Sequence, residues 1–277
     1  MTTILKRGFG RKWFSRILAG CAMLAVFLLA ADAHAAQVKL VQTGEVYFDA
    51  DDISQVSVLQ TPVDKNKTIV LIYPNSDNTA LNASQNVLFS ADFGSSTELI
   101  ISRDAATYGC TVKYYVIEFT DGVNVWRGIS SFGPGPYTNP AYTTKSISLS
   151  PSIGDYTKAV PIIQARSALA TAVTEEMATI KAVVTDNNTL TLSRYDTNSV
   201  LKSVNLVWQI IEFTKDASVK TGAASIAINA TSGTAAITSV DTAKSLLFFT
   251  YRADRSVNGI EGYYKVRGKI TDDTTLT

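Results

Sequence analysis

Short runs of apolar residues, separated by turn residues, recur along most of this chain. Residues 112–119 and 206–213 are rich in Val, Ile, Tyr, Trp and Phe, which suit the pleated and packed surface of a strand. Apolar residues occur in both alternating sets of positions, so each run predicts a central strand covered on both faces, at least over its second half. Asn, Asp, Ser, Thr and Gly cluster between the runs and supply turn chemistry. The pattern predicts an all-β chain.

The runs also repeat in a fixed order. Residues 185–191 return as residues 271–277, and apolar runs that open with a lysine begin at Lys67, Lys158 and Lys244. The lysine offsets are 158 − 67 = 91 and 244 − 158 = 86. Further matched anchors are Ser102-Arg103 with Ser193-Arg194, Glu118-Phe119 with Glu212-Phe213, and a closing Val-x-x-Gly at 125–128 and 219–222. Several anchors in one order indicate a repeat of about 90 residues.

Six to eight strands in about 90 residues is the size of an immunoglobulin-like sandwich. We therefore predict tandem immunoglobulin-like β-sandwich repeats after an N-terminal signal peptide. The predicted division is a signal peptide (1–35), an N-terminal strand or cap (36–53), repeat 1 (54–145), repeat 2 (146–231) and a partial, truncated repeat 3 (232–277). Another Val-x-x-Gly at 41–44 leaves two alternatives: residues 36–53 complete the first sandwich, or the match is too short to be meaningful.

The N-terminus is typical of an export signal. Five basic residues precede an apolar stretch at 17–31, and Ala33-His34-Ala35 is a small-x-small cleavage site before Ala36. The alternative is a membrane anchor, but the stretch is shorter than the roughly 20 residues that span a bilayer. We predict a secreted bacterial protein, extracellular or at the cell surface, without a membrane segment after cleavage.

Removal of the signal changes the charge and the available chemistry. Residues 1–35 carry five basic groups and one acid, so the formal net charge changes from +1 to +1 − 4 = −3. A mildly acidic chain without basic clusters argues against nucleic acid or anionic lipid as a partner. The only histidine, His34, lies in the signal, which excludes histidine-dependent nucleophilic catalysis after cleavage. Cys110 is then the only cysteine, predicted to be buried.

Two charged residues recur in each repeat. We predict that Arg103 pairs with Glu118, and that Arg194 pairs with Glu212, as structural ion pairs. The alternatives are glutamates that face solvent at strand ends, or a glycosidase-like pair of carboxylates. The two glutamates lie 212 − 118 = 94 residues apart, in separate predicted sandwiches, so we predict no catalytic residues and no enzyme.

Aromatic residues suggest one candidate binding site. Residues 132–142 form a Gly- and Pro-rich insertion that carries Phe132, Tyr137 and Tyr142, and Trp126 precedes it closely. Exposed aromatic rings can stack on sugars or anchor a protein partner. The alternative is an inter-repeat linker stiffened by proline.

The densest acidic cluster suggests one candidate cation. Asp49, Asp51 and Asp52 supply the oxygen ligands that calcium prefers, although their spacing fits no EF-hand loop. We expect no other cofactor.

The leading functional hypothesis is a non-enzymatic repeat protein of the bacterial cell surface or extracellular matrix, with a structural or adhesive role. Its partners would be neighbouring repeats, copies of itself, or cell-surface glycans and proteins. The alternatives are a carbohydrate- or protein-binding module that uses residues 132–142, and an accessory domain of a larger secreted hydrolase.

Overall fold

The structure, a computed structural model, describes residues 36–76, 87–105, 108–136, 138–167, 178–194, 203–227, 230–253 and 266–277. These residues are nearly all β, as the apolar pattern predicts. Among them, no helix has the length and apolar character that a membrane crossing needs. The predicted signal peptide lies outside the described residues.

The strands are β1 (Val38–Phe48), β2 (Ser54–Val58), β3 (Thr68–Ser76), β4 (Phe89–Phe93), β5 (Glu98–Arg103), β6 (Cys110–Phe119), β7 (Val123–Phe132), β8 (Thr144–Ser148), β9 (Ala159–Arg166), β10 (Lys181–Asp186), β11 (Thr189–Ser193), β12 (Val204–Phe213), β13 (Ala235–Ala236), β14 (Ile270–Asp272) and β15 (Thr275–Leu276). Short 3₁₀ turns at Lys65–Lys67 and Tyr156–Lys158 precede β3 and β9, and a one-turn helix α1 spans Pro140–Thr143.

Strands β1 to β6, the first strand group, form two antiparallel sheets. Sheet 1 has the order β1-β6-β3 and sheet 2 has the order β2-β5-β4. Alternate residues of both sheets share one core, which includes Phe48, Val70 and Val112 from sheet 1 and Phe89 and Leu99 from sheet 2. Cys110 is buried in this core, as predicted.

Strands β7 to β12, the second strand group, pair in the same way. Sheet 3 has the order β7-β12-β9 and sheet 4 has the order β10-β11-β8. Each strand therefore has a counterpart six strands earlier, with β12 at the centre of sheet 3 as β6 is at the centre of sheet 1. Strands β13, β15 and β14 form sheet 5, the third strand group.

The first strand of each group pairs with the last one. β1 pairs with β6 from Phe48 opposite Cys110 to Val38 opposite Phe119, and β7 pairs with β12 from Phe132 opposite Val204 to Val123 opposite Phe213. Residues 36–53 therefore contribute a strand to sheet 1. The predicted boundary at 145/146 separates β7 from β12, which are neighbours in sheet 3.

The connections between groups share one backbone feature. Gly122, between β6 and β7, has a φ of 71°, and Asp216, three residues after the end of β12, has a φ of 39°. These positions lie 216 − 122 = 94 residues apart, the offset that also relates Glu118 to Glu212. Left-handed backbone favours glycine and is tolerated by aspartate. The chain therefore leaves both groups through similar turns.

The repeated Val-x-x-Gly has a packing role in the first strand of a group, which corrects its interpretation as a closing segment. Gly44 on β1 lies opposite Tyr114 of β6, and Gly128 on β7 lies opposite Trp208 of β12. A Cβ at Gly128 would lie 2.5 Å from the Trp208 ring, and a Cβ at Gly44 would overlap the Tyr114 ring. Glycine recurs here because the large aromatic on the neighbouring strand occupies the space of a side chain.

Candidate functional site

The predicted aromatic site is divided between core and surface. Phe132 is buried in the core of the second strand group, which makes it inaccessible to a ligand. Trp126 is half-buried, packs against that core and donates a hydrogen bond from Nε1 to the Pro151 carbonyl at 2.8 Å. Tyr142 is half-buried beside Gly135, and Tyr137 lies outside the described residues. The interpretation of Phe132 as a ligand-binding residue is wrong, because its ring fills the sandwich interior.

The acidic cluster forms the turn between β1 and β2. The Asp52 carboxylate accepts hydrogen bonds from the Asp49 N–H at 3.0 Å and from Gln55 Nε2 at 2.7 Å. Among the described residues, no group of three or more possible ligands, with Asp51 or otherwise, is arranged to hold a metal ion. Through its two hydrogen bonds, the carboxylate of Asp52 stabilises this turn.

Arg103 is buried at the end of β5 and binds this same turn, not Glu118. Its Nε donates to the Asp52 carbonyl at 2.7 Å, and its other nitrogens donate to the carbonyls of Asp49 and Tyr108. Its guanidinium also lies over the Phe48 ring, 5.4 Å from the centroid. Burial lowers the pKa of Arg103. The predicted Arg103–Glu118 pair is wrong, because backbone carbonyls take the donors of this arginine.

Arg194 makes the equivalent contacts in the second strand group. Its Nε donates to the Tyr142 carbonyl and its Nη2 to the Gly133 carbonyl, both at 2.8 Å. The guanidinium lies 4.8 Å from the centroid of Phe132, the counterpart of Phe48. Each arginine thus ties the connection between the first two strands of its group to the end of the fifth strand.

The two recurrent glutamates also share a structural role. Glu118 Oε1 accepts a hydrogen bond from the Asp64 N–H at 3.2 Å, and Glu212 Oε1 accepts one from the Asp155 N–H at 2.6 Å. Both aspartates cap the 3₁₀ turn that leads into the third strand of the group. Glu118 also pairs with Lys39 at 2.9 Å. Both carboxylates are buried and belong to separate sandwiches, so they form no shared cleft.

Side-chain hydrogen bonds connect the first two strand groups. The face of sheet 3 that points away from its own core contacts β3 and β4, one edge strand from each sheet of the first group. We call this the docking face, and its polar residues are Arg127, Gln164 and Gln209. Edge strands carry backbone groups that a sheet leaves unpaired. The docking face supplies partners for them.

Two glutamines of the docking face act as substitutes for a neighbouring strand. Gln209 accepts a hydrogen bond from the Val70 N–H at 2.8 Å and donates one to the Val70 carbonyl at 2.9 Å. Gln164 donates to the same carbonyl at 2.9 Å and accepts from the Ala91 N–H at 2.7 Å. Both glutamines are buried. Because buried backbone groups are costly to leave unpaired, these four hydrogen bonds fix the position of sheet 3.

Charged residues flank the glutamines. Arg127 donates to the carbonyls of Lys65 and Thr68, lies 3.5 Å from the Asp92 carboxylate, and covers the Phe93 ring. Burial lowers the pKa of Arg127, and the carboxylate of Asp92 opposes that effect. At the other end of the contact, Asp104 binds Arg166 and Asn205, each at 2.8 Å. An apolar cluster lies beside these polar contacts and includes Ile69, Val123, Val125, Ile162 and Ile211.

The contact between the second group and the following segment repeats one of these interactions. The hydroxyl of Thr250 accepts a hydrogen bond from the Ala182 N–H at 3.0 Å and donates to the Ala182 carbonyl at 3.2 Å. Ala182 on β10 corresponds to Ala91 on β4, and Thr250 lies 250 − 164 = 86 residues after Gln164. The contact between Ala182 and Thr250 therefore uses the same two repeat positions as the contact between Ala91 and Gln164.

No protein-family model, no curated protein and no solved structure matches this chain. The geometry of the described residues is therefore the basis for assigning a function.

Sequence reasoning did not identify the outer face of sheet 1, which corresponds to the docking face. Tyr73 and Tyr115 occupy the positions of Gln164 and Gln209, and Thr43 occupies that of Arg127. Tyr73 is 57% exposed, and its ring meets the Tyr115 ring edge-on with 5.8 Å between centroids. The signal available in the sequence was the replacement of both glutamines by tyrosine between aligned repeats.

Proposed function

We propose that this chain is a secreted, non-enzymatic repeat protein of the bacterial cell surface or extracellular matrix, with a structural or adhesive role. Its units would be immunoglobulin-like β-sandwiches in tandem. The observation that carries the proposal is the docking face, where side chains of one strand group pair with the edge backbone of the preceding group. Such contacts give an array in which each unit is held by its neighbour.

The likeness to an immunoglobulin domain is one of layout. A constant-type immunoglobulin domain has seven strands, with sheets ABED and CFG. Here β2, β5 and β4 match strands B, E and D, while β3 and β6 match C and F. The N-terminal strand β1 takes the place that strand G has beside F. On this layout, the units would be residues 36–121, 122–215 and a third that begins at 216.

A structural role is supported by what the buried charged groups bind. Arg103 contacts three backbone carbonyls, and Glu118 and Glu212 contact backbone N–H groups of their own sandwiches. Catalytic acids and bases instead need access to substrate. Coverage of the edge strands β3 and β4 also blocks uncontrolled pairing with other chains. An array of this kind can then be lengthened by further repeats without edge-to-edge aggregation at β3 and β4.

A second candidate is a binding module, as the aromatic residues of the sequence suggest. The specific observation in its favour is the pair of exposed Tyr73 and half-buried Tyr115 on the outer face of sheet 1, with the Lys113 ammonium 5.8 Å from the centre of the Tyr115 ring. Rigid aromatic surfaces at low entropic cost are typical of recognition sites. Adhesion through this face is compatible with an array that displays it.

The double variant Gln164→Ala/Gln209→Ala tests the fixed array. Both glutamines pair with buried backbone, so their loss should cost about 1–3 kcal/mol for each group left unpaired. Small-angle scattering of the full secreted chain should then show a larger radius of gyration, and protease should cleave sooner near Gly122. Each sandwich should keep its own fold.

The matched control is Tyr73→Ala/Tyr115→Ala, which changes the equivalent positions on the outer face of sheet 1, two side chains that hydrogen-bond to no other strand group among the described residues. This variant should leave the scattering profile unchanged. If the glutamine variant scatters like the unaltered chain, the docking face does not hold the units, and the proposed array is refuted.

Export is tested separately. When the full chain is expressed in a bacterial host, the product outside the cytoplasm should begin at Ala36, as measured by intact mass and N-terminal sequencing. The reason is the cleavage pattern at Ala33-His34-Ala35. Arginine at position 35 should block this cleavage because the site requires a small residue. Recovery of only uncleaved protein in the cytoplasm would contradict secretion.

A further inference from the structure

A cavity opens between β1 and β2, the edge strands on the side of the first sandwich opposite to β3 and β4. Its volume is about 320 Å³, and it is lined by residues 40–43 of β1, residues 58–61 at the end of β2 and Tyr114 of β6. The docking face contacts β3 and β4, so this cavity lies on the other side of the sandwich. A concave space of this size can hold a small ligand or one unit of a larger one.

The second strand group has a tryptophan at this place. The register of β1 and β7 aligns Gln42 with Trp126, and Thr61 corresponds to Pro151, 151 − 61 = 90 residues later. The indole of Trp126 packs against its core and donates to the Pro151 carbonyl. The shorter Gln42 donates to the Thr61 carbonyl and accepts from the Thr61 N–H, both at 2.9 Å. Gln42 therefore makes the equivalent contact to the backbone but lacks the ring, and the cavity lies beside it.

Two further positions change from apolar to polar in the same comparison. Trp208 and Ile147 of the second group correspond to Tyr114 and Ser57 of the first. Trp208 belongs to the core of its group, and Ile147 packs against that core. Tyr114 Oη and Ser57 Oγ are instead hydrogen-bonded at 2.8 Å, and Tyr114 lines the cavity. Because buried hydroxyl groups stabilise a sandwich less than apolar side chains of similar size, their presence here indicates a binding role.

The remaining lining indicates the chemical class of the ligand. Thr43, Gln60 and Thr61 offer hydroxyl and amide groups, and no charged residue is among the described residues that line the cavity. Val41 and Val58 also line it and are 50% and 74% exposed, so they lie at its opening. A charged ligand would lose its hydration here without an opposite charge to pair with. A sugar ring is neutral and presents hydroxyl groups at its rim and C–H groups on its faces, which matches this lining.

We propose that this cavity, the β1–β2 cavity, binds one neutral sugar residue of a glycan. Gln60, Thr61 and the Tyr114 hydroxyl hydrogen-bond the sugar hydroxyls. Val41 and Val58 contact the C–H face of the ring. The alternative occupant is a tryptophan side chain of a partner protein, because the second group holds an indole at this place, but the hydroxyl groups of the first group favour the sugar. The site is separate from the docking face, so sugar binding and array formation are compatible.

The test titrates the full chain with neutral sugars and follows binding by ligand-observed nuclear magnetic resonance. The probes are the methyl glycosides of glucose, galactose, mannose, rhamnose, fucose, N-acetylglucosamine and N-acetylgalactosamine. At least one should bind with a Kd of about 0.1–10 mM, the affinity expected for the few contacts of one ring. Glucuronic acid and N-acetylneuraminic acid should bind about tenfold more weakly or worse, because the lining offers no opposite charge. N-acetyltryptophanamide, the probe for the alternative occupant, should not displace the sugar.

The chain variant Gln42→Trp fills the cavity with the ring that Trp126 places in the second group. It should weaken sugar binding by about tenfold or more without loss of stability, since the second group accommodates the same ring. Tyr114→Phe removes one hydroxyl and little volume, and it should weaken binding by about fivefold to tenfold. Glu45→Trp is the matched control, because it adds the same ring to β1 on the opposite face of sheet 1, and it should bind normally.

No binding of any neutral sugar by the unaltered chain, equal binding by Gln42→Trp, or displacement of the sugar by N-acetyltryptophanamide would overturn the inference. Loss of binding in Tyr73→Ala/Tyr115→Ala alone would also overturn it, because the sugar would then lie on the outer face of sheet 1. If Gln42→Trp does not fold, Tyr114→Phe decides. None of these results bears on the glutamine contacts of the first two groups, whose scattering test decides the array separately.

Discussion

Replacement of Arg103 by alanine should lower the free energy of unfolding of the first strand group by about 3–5 kcal/mol. The side chain is 1% exposed and donates to the carbonyls of Asp49, Asp52 and Tyr108. Its removal takes away the arginine donors of all three carbonyls, of which that of Asp49 also accepts a hydrogen bond from the Asp52 N–H at 3.1 Å, and opens a cavity against Phe48. Urea denaturation of the full chain, followed by intrinsic fluorescence, measures the change.

Two controls separate geometry from charge. Arg103→Lys keeps the positive charge but lacks the planar fork that reaches several carbonyls, so it should recover only a minor part of the lost stability. Lys65→Ala removes an exposed cation of the same group and should change the free energy of unfolding by less than about 0.5 kcal/mol. A loss below about 1 kcal/mol for Arg103→Ala would show that the β1–β2 turn does not depend on this side chain.

Replacement of Gly128 by alanine should destabilise the second strand group by about 2–3 kcal/mol. The added Cβ would lie 2.5 Å from Cζ2 and 2.8 Å from Cε2 of Trp208, and this ring is held in a packed core. The ring cannot retreat without displacing its neighbours, so strain is the expected result. Thermal unfolding measured by circular dichroism should show a lower Tm.

Gly133→Ala is the control for the glycine substitution itself, since a Cβ at Gly133 meets nothing within 4 Å. Trp208→Leu provides the second arm, because a smaller side chain leaves room for the Cβ. In the Trp208→Leu background, Gly128→Ala should cost much less than in the unaltered chain. Equal costs in both backgrounds would mean that the ring is not the reason for glycine at this position.

The residues that recur along the sequence were correctly recognised as equivalent, but the groups that they bind were not. Arg103 with Arg194 and Glu118 with Glu212 recur because each performs the same local task in its own sandwich. Sequence reasoning paired arginine with glutamate by charge. The structure pairs each with backbone groups of a turn, because buried backbone also requires partners and the turns lie closer. Opposite charge alone could not distinguish these arrangements.

The division into units was harder to predict than the strands. The apolar run at residues 206–213 was recognisable as a central strand because both of its faces are apolar. β7 lies beside it although their paired residues are between 204 − 132 = 72 and 213 − 123 = 90 positions apart, and such a non-local pairing has no periodicity of its own. The Val-x-x-Gly pattern marks the first strand of a group in the sequence. The structure gives the reason, which is the aromatic ring that lies over each glycine.

The aromatic residues of the candidate site also show that the sequence does not determine which side chains are buried. Phe132, on a Gly- and Pro-rich insertion, was predicted to contact ligand, but the strand direction turns it into the core under Arg194. Tyr73 and Tyr115 lie within strand patterns and looked like core residues, yet they face outward. Which face of a strand is covered depends on what packs against the sheet, and that partner is distant in sequence.

The sequence by itself determined the all-β character, the order of the apolar runs and the repetition of their anchors. These follow from local preferences: branched and aromatic residues favour strands, and small polar residues favour turns. Only the tertiary structure decided that β1 closes sheet 1, that Gln164 and Gln209 cover an edge, and that Gly128 lies under the ring of Trp208. Each of these depends on which distant backbone or ring comes within a few ångströms, a quantity set by packing in three dimensions and not by neighbours along the chain.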